Sequence, residues 1–352
     1  MKLRIQSPAW VGIAMMAAVS TAAGQAQQAP APPPFQVISP PQTFKTSTAH
    51  YEYLKRLHKG GTQHTWESVP KWEGVWQAGW NSIALRGGVS PFFVGQIPTG
   101  LTAGGEVAKG LLSPAYEAAF IQRREGMKKF NQQPYDRLTT CEPAGMPRWL
   151  LEPYAREFVN TPSQSWWMND LANDTRRIYI NQDHKNIDNT HFPQGDSVGF
   201  WAGDHLIVHT INVWPNDYFR GYPPTSNQFE SVEVFHRETR PNGDDVIIVQ
   251  TTFYDPIGLT KPLDGVYTFT RATTLEDAGF RMRWWECSAN QNTSLTAEGT
   301  TQMALPGEKG FNDIRGTDQT RRSPDLPPNL PGQNRDPKDT GEVLSLDSAL
   351  GK

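Results

Sequence analysis

One histidine and two carboxylates, His209, Asp196 and Glu233, stand where acid/base chemistry could be assembled. His209 lies in the stretch Gly199-Phe200-Trp201-Ala202-Gly203-Asp204-His205-Leu206-Ile207-Val208-His209-Thr210, with Asp196 just ahead of it. Gly203-Asp204 is a turn signal between two β-forming runs, so the segment reads as a β-hairpin. With the tip placed there, Ala202 faces His205, Val198 faces His209 and Asp196 faces Ile211. Asp196 and His209 are then diagonal neighbours on one face of the sheet. A carboxylate beside an imidazole raises its pKa and fixes its tautomer, which is how a general base is oriented. The pair is expected to point into a barrel. The competing reading is a structural polar pair or two solvent-facing residues, since diagonal pairs commonly do no more than stabilise a sheet.

A second hairpin follows around Pro241-Asn242-Gly243-Asp244. Taking Asn242-Gly243 as its tip sets Glu233 opposite Thr252, Phe235 opposite Gln250 and Ser231 opposite Tyr254, a polar face. Val232, Val234, Val249 and Phe253 make an apolar one. Glu233 is therefore a pocket carboxylate, with Arg177 or Arg271 as partner, or a solvent-facing one; unpaired Glu is rarely buried. Arg177 and Tyr179 share strand parity and could anchor a carboxylate, phenol or carbonyl, with surface placement as the alternative. Trp201, Thr252 and Tyr254 complete the candidate binding residues. His184, His191, His205, His209 and His236 fall in one region, but no spacing among them resembles a zinc signature, so no metal or other cofactor is expected.

The elements that must carry these residues are mainly strands. Candidates are 164–169, 175–181, 197–202, 205–212, 228–238, 245–254, 265–272 and 280–287, separated by turn signals such as Asn173-Asp174 and Asp277-Ala278-Gly279. Short strands joined by hairpin-length links read as an antiparallel meander, and closing it into a barrel removes exposed edges. With a strand near Gly74, about eight to ten strands are expected, enough to hold one small ligand. A helix is predicted from about Thr48 to Lys59, stopped by Gly60-Gly61. Another opens at Ser113-Pro114, with Tyr116, Ala119, Phe120, Met127 and Phe130 on one face, suited to covering a barrel end or flank. The Gly-rich segment 81–112 shows no regular pattern.

The chain has 352 residues, 33 basic against 36 acidic. Lys2 and Arg4 precede an apolar run and a small-residue site at Gly24-Gln25-Ala26, the pattern of a secretory signal peptide over residues 1–26. An uncleaved anchor is the alternative, although the run is short for a membrane span. Its removal leaves a mildly acidic periplasmic or secreted product without basic runs, a poor partner for nucleic acid and one with no stable membrane insertion. Residues 27–46 read as a Pro-rich linker, 47–300 as a single barrel domain with N-terminal helices, and 301–352 as a polar, Pro-rich tail, disordered or draped on the surface. Cys141 and Cys287 are the two cysteines. In an oxidising compartment an even count favours one disulfide over a catalytic thiol, and neither lies in a CxxC. Twelve tryptophans suit a core or an aromatic-lined pocket. No Walker, dinucleotide, HExxH or GxSxG motif is present, which excludes several large enzyme classes.

A series of short motifs carries a resemblance. It comprises Gly74-Val75-Trp76, Leu112-Ser113-Pro114, Cys141-x-Pro-x-Gly145-Met146-Pro147-Arg148, Arg176-Arg177-Ile178-Tyr179, Gly199-x-Trp201-x-Gly203-Asp204-x-Leu206-x-Val208-x-Thr210, Glu233-x-Phe235, Asp255-Pro256-x-x-x-Thr260-Lys261-Pro262 and Cys287-x-x-Asn290. Over about residues 70–290 it resembles a widespread group of exported bacterial proteins for which a lipocalin-like barrel is expected and no reaction is established. The Gly-x-Trp is similar to the opening of lipocalin-type barrels, where the Trp plugs the closed end. Where that group often carries His-Ser before the Gly-x-Trp, this chain has Asp196-Ser197; where it carries Val-Asp-Thr, this chain has Val208-His209-Thr210. Acid and base look exchanged between the two strands.

Three functions remain open on this reading. A cofactor-free lyase, isomerase or hydratase would use a pocket acid and base on a small aromatic or apolar molecule. A periplasmic carrier or sensor would bind such molecules without chemistry. An envelope or assembly partner would show an exposed apolar patch and no cavity. Convergence of Asp196, His209 and Glu233 in one cavity would favour the enzyme.

Overall fold

The computed structural model describes residues 44–78, 90–94, 106–130, 136, 138, 141–185, 189–287, 293–295, 301–303 and 330–333. The expected signal peptide, most of the Pro-rich linker, most of the Gly-rich segment and most of the C-terminal tail lie outside the described residues. Among the described residues no helix is long and apolar enough to cross a membrane.

The first helix, α1 (Ser47–Leu57), starts where Thr46 turns its hydroxyl to accept from the Ala49 N–H at 3.2 Å. Lys55 and Arg56 complement the dipole of its last turn, and Gly60 and Gly61 take positive φ beyond it. The strands follow: β1 (Trp76–Ala78), a short pair β2 (Phe93–Val94) and β3 (Glu106–Val107), then helix α2 (Pro114–Phe130). β4 (Ala155–Asn160), β5 (Gln164–Asn169) and β6 (Thr175–Ile180) lead into β7 (Asp196–Ala202) and β8 (His205–Ile211). β9 (Glu230–Thr239), β10 (Asp245–Tyr254) and β11 (Leu263–Arg271) complete the barrel; a short helix α3 (Thr273–Asp277) and a small hairpin of β12 (Thr293–Leu295) and β13 (Thr301–Met303) come after.

Nine strands close the barrel in the order β1-β11-β10-β9-β8-β7-β6-β5-β4. The expected mainly β barrel of eight to ten strands is therefore present, with one difference from a pure meander: β6 and β7 run parallel. A closed ring of nine cannot alternate direction at every step, so at least one neighbouring pair must be parallel. The chain crosses over between β6 and β7 to make that pair. β4 occupies a segment with no strand expected, whereas the expected strand at 280–287 does not form, and Trp284 there is 78% exposed.

Alternate residues sort onto two faces, as the strand period requires. Trp167 of β5 meets Phe235 of β9 with ring centroids 4.1 Å apart, and Phe158 of β4 meets Phe269 of β11 at 5.7 Å. Those strands are not neighbours, so these contacts cross the lumen. Trp76, Trp149, Trp167, Trp201, Leu206, Val208 and Val249 belong to the same core. The expected ligand-holding interior is instead filled by aromatic side chains, the outcome a barrel of this size allows. Gly199 is needed here: a Cβ would stand 2.7 Å from the Ile207 carbonyl oxygen.

Part of the outer face of β7–β10 is covered by α1. Tyr51 and Leu54 of α1 bury Val198, Phe200, Ile207, Val232 and Val234 beneath the helix. Helix α2 packs elsewhere, as expected of a cover: Tyr116 donates to the Pro331 carbonyl at 2.7 Å and Arg123 to the Tyr222 carbonyl at 2.9 Å. Leu330 and Gln333, expected in a surface tail, are buried at this contact. Cys141 and Cys287 form the expected disulfide, with Cα atoms 5.8 Å apart.

Candidate active site

The β7–β8 register is the one predicted, Val198 with His209 and Asp196 with Ile211. The direction is not: Asp196 and His209 sit on the outer face, under α1, because Ser197, Gly199 and Trp201 take the inward positions. They are not joined directly. His184, on the crossover between β6 and β7, stands between them, with Nδ1 3.0 Å from Asp196 Oδ2 and Nε2 3.0 Å from His209 Nδ1. His209 Nε2 is 2.9 Å from the Ser47 hydroxyl, and Ser47 donates in turn to Glu230 Oε2. Five side chains thus form one line: Asp196, His184, His209, Ser47, Glu230.

Each is positioned by ordinary packing. Ser47 is the first residue of α1 and wholly buried. One turn on, Tyr51 stacks its ring on His209, with centroids 5.1 Å apart. His209 is 3% exposed. Burial pushes its pKa down to about 3, reinforced by His184 and His50 and opposed by Asp196. The expectation that the carboxylate would raise this imidazole is overturned, since desolvation outweighs a carboxylate held one residue away. Glu230 is shifted up by burial, against the pull of the Ser47 hydrogen bond and of His184.

The line ends at a cleft of about 680 Å³ on the outside of the barrel, and Glu230 is the member that lines it. Tyr254 lines it too, its hydroxyl 3.0 Å from His50 Nδ1. One wall is the run Asp255, Pro256, Thr260, Lys261, Pro262. Asp255 shapes it by accepting from the Gly258 and Ser226 amides, each at 2.8 Å. Lys45 and Lys261 bring positive charge. His191 lines the cleft with Nδ1 2.9 Å from the Asn189 carbonyl and Nε2 2.8 Å from that of Asn227. Both ring nitrogens of His191 thus face backbone carbonyl oxygens, which only accept.

The other sequence-predicted residues go elsewhere. Glu233 is inside the barrel, fully buried, and its partner is Arg176 rather than Arg177 or Arg271: Nη1 to Oε2 2.7 Å, Nη2 to Oε1 2.9 Å. Thr210 Oγ1 accepts from Arg176 Nη2 at 2.6 Å, Ser197 Oγ from its Nε at 3.2 Å, and Ser231 donates to Glu233 at 2.6 Å. The predicted β9–β10 pairing is shifted by one residue, because 240–244 form a wider turn that pairs Thr239 with Asp245. Glu233 therefore faces Thr251, and Thr252 and Tyr254 move to the outer face. Thr252 is bonded there to Asp264 at 2.8 Å. Arg177 lies outside, 4.3 Å over the Trp166 ring, and Tyr179 outside beside the α1 cluster. Trp201 is wholly buried against Trp72. Asp196 and His209 are brought together through His184; Glu233 joins neither.

Ser47 and Glu230 had no signal of their own, one a helix start and the other a strand-edge acid, and His184 stood out only as one of five histidines without metal-site spacing. What the fold defines is a closed nine-strand barrel with a buried hydrogen-bonded acid–base line and a polar cleft on its outside. No protein-family model, no curated protein and no solved structure matches this chain.

Proposed function

We propose that this protein is a cofactor-free acid/base enzyme of lyase, isomerase or hydratase type that works in the outer cleft, with Glu230 as the group that meets the substrate. The observation that carries this reading is the uninterrupted line from Asp196 to Glu230 ending at the cleft. Two arrangements satisfy all four hydrogen bonds with the same number of protons. In one, neutral Glu230 donates to Ser47, Ser47 to His209, His209 to His184 and His184 to ionised Asp196. In the other, Ser47 donates to ionised Glu230, His209 Nε2–H to Ser47, and doubly protonated His184 to both His209 and Asp196. Passing from the first to the second moves three protons one bond each and leaves one extra proton on His184. Starting from ionised Glu230 and singly protonated His184, a proton taken from a substrate gives the first arrangement, and the shift to the second carries that proton charge to His184 and restores the Glu230 carboxylate without water entering behind it.

The cleft's lining argues for a polar, anion-bearing small molecule rather than the apolar one expected from the tryptophans, because Lys45 and Lys261 both line it. The filled lumen lends no support to carriage of an apolar ligand inside the barrel. Export, signal cleavage and kinship with the resembled bacterial group belong to the same proposal. They are supported by the N-terminal pattern and by the Asp255–Pro262 run of that resemblance, which forms a wall of the cleft.

The test begins with native mass spectrometry of small anions that co-purify, followed by deuterium exchange into each candidate in heavy water. Exchange or conversion that Glu230→Gln abolishes while binding persists supports the proposal. Equal rates in wild type and Glu230→Gln overturn it.

A further inference from the structure

At the far end of the outer face from the cleft, the β7–β8 tip brings together three side chains that the relay does not use. Asp204 and His205 close the hairpin, and β9 lies beside β8 with Leu206 paired to Phe235. Continuing that register one step sets His205 next to His236. The two imidazoles stack, with centroids 4.3 Å apart and planes 8° from parallel. Asp204 Oδ1 is 2.7 Å from His205 Nδ1, and Oδ2 is 4.0 Å from His236 Nδ1. One ligand atom from each of the three residues falls within 4.8 Å of the others.

We propose that Asp204, His205 and His236 bind one divalent cation of the Zn²⁺ type at the barrel surface, apart from the cleft. The donor set selects the ion: two imidazoles and a carboxylate suit Zn²⁺, Cu²⁺ or Ni²⁺, whereas Mg²⁺ and Ca²⁺ want oxygen alone. Both Nδ1 atoms face the carboxylate, so a cation seated there replaces the His205–Asp204 contact with three metal bonds. Water completes a four-coordinate shell. Glu238 stands behind, its Oε2 3.7 Å from His236 Nε2, the place of a carboxylate that orients a metal-bound imidazole through its other nitrogen. Parallel stacked rings cannot aim both lone pairs at one point, so uptake must swing the rings out of their stack. Asp204 is 67% exposed at the side chain and lies at the turn, where this movement is open. The sequence hides the site because His236 joins it through strand pairing and not through spacing.

Tag-free protein, stripped with chelator and titrated with Zn²⁺ alone, tests the proposal by calorimetry and native mass spectrometry. One Zn²⁺ per chain is expected. Glu238→Gln should weaken binding about 10-fold, within the roughly 10–100-fold cost of removing a group that orients a metal ligand, and His205→Ala and His236→Ala, which each remove a ligand, should weaken it more, by at least about 100-fold. His184→Ala, which breaks the other histidine group, should leave stoichiometry unchanged. Should either histidine variant fold poorly by circular dichroism, nitrogen-resolved NMR of the wild-type histidines identifies the ligands, with His205 and His236 Nδ1 shifting on Zn²⁺ addition. No stoichiometric uptake overturns the proposal, as does uptake that survives both histidine variants, is lost with His184→Ala, or shifts other histidines in its place.

Discussion

The barrel interior and the strip beneath α1 each bury acid beside base, and they are built in opposite ways. Inside, Arg176 and Glu233 form a two-pronged ion pair in which Thr210 and Ser197 accept from the guanidinium and Ser231 donates to the carboxylate, and Trp167 lies across the guanidinium at 4.7 Å. Both side chains are closed off from solvent. Beneath α1 the groups are imidazoles and a hydroxyl, which both donate and accept, and the last of the line opens on a cleft. A closed charge pair fixes geometry. A line of amphoteric groups with one end in a cleft can pass a proton. Burial of a carboxylate alone does not distinguish the two; the chemistry of its partners does.

The sharpest way to break the contrast is to cut the interior pair. Glu233→Gln leaves Arg176 as an uncompensated charge in the lumen and should destabilise the fold by roughly 3–5 kcal/mol, read as a lowered urea midpoint. Replacing both partners together, Arg176→Met with Glu233→Leu, should recover most of that loss, because the desolvation cost of both charges disappears. A single variant with an unchanged midpoint would show that the pair is not the anchor its geometry suggests.

The outer line should respond the other way round. Glu230→Gln keeps the shape of the cleft wall, so stability should change by less than about 1 kcal/mol. Turnover of a cleft substrate should fall at least about 100-fold, the usual contribution of a positioned acid or base. Ser47→Ala, which severs Glu230 from His209, should lower turnover with binding kept. Steady-state kinetics separate these outcomes: a pure rise in KM would assign Glu230 to binding alone.

Much of the barrel could be read from the chain because strand period, turn residues and hairpin register are local properties. The Gly203-Asp204 tip set one hairpin correctly, down to Val198 opposite His209. The next hairpin failed by one residue because Arg240–Asp244 makes a wider turn than Asn242-Gly243 alone implies, and a slip of one reverses every side chain. Which face is inside was not legible at all, since both faces of β7 and β8 are apolar: one meets the lumen and the other meets α1. The relay was legible only in His209 and Asp196. Its other members come from a helix start, a crossover loop and a strand edge, which only tertiary packing brings together.

The pH dependence of stability offers a finer probe of the outer strip. His209 titrates near its ordinary pKa of 6.5 when unfolded and at about 3 when buried. Between those values the unfolded chain binds the extra proton, so stability from this group is present above pH 6.5 and lost as the pH falls toward 3. His50, lowered by burial to about 4, adds a loss of the same sign over a narrower window. Each group contributes at most about 1.4 kcal/mol per pH unit. His209→Gln should flatten the slope of unfolding free energy between pH 6.5 and 4, measured by urea melts at each pH. An unaltered slope would mean that the imidazole remains protonatable in place, and that the strip is wetter than its packing implies.

The smallest effect is expected where the outer face is truly exposed. Arg177 lies over Trp166, away from the cleft and from the relay. Its neighbour in sequence, Arg176, points into the lumen, so the pair Arg176-Arg177 samples both environments with the same side chain. Arg177→Ala should cost about 0.5–1 kcal/mol, the worth of an exposed cation over an aromatic face. Arg176→Ala strips a buried carboxylate of its partner and belongs with the largest losses. Comparing the two by denaturation holds residue type and strand constant and changes only the face. A cost for Arg177→Ala as large as that for Arg176→Ala would place a second, unrecognised site on the outer surface of β6.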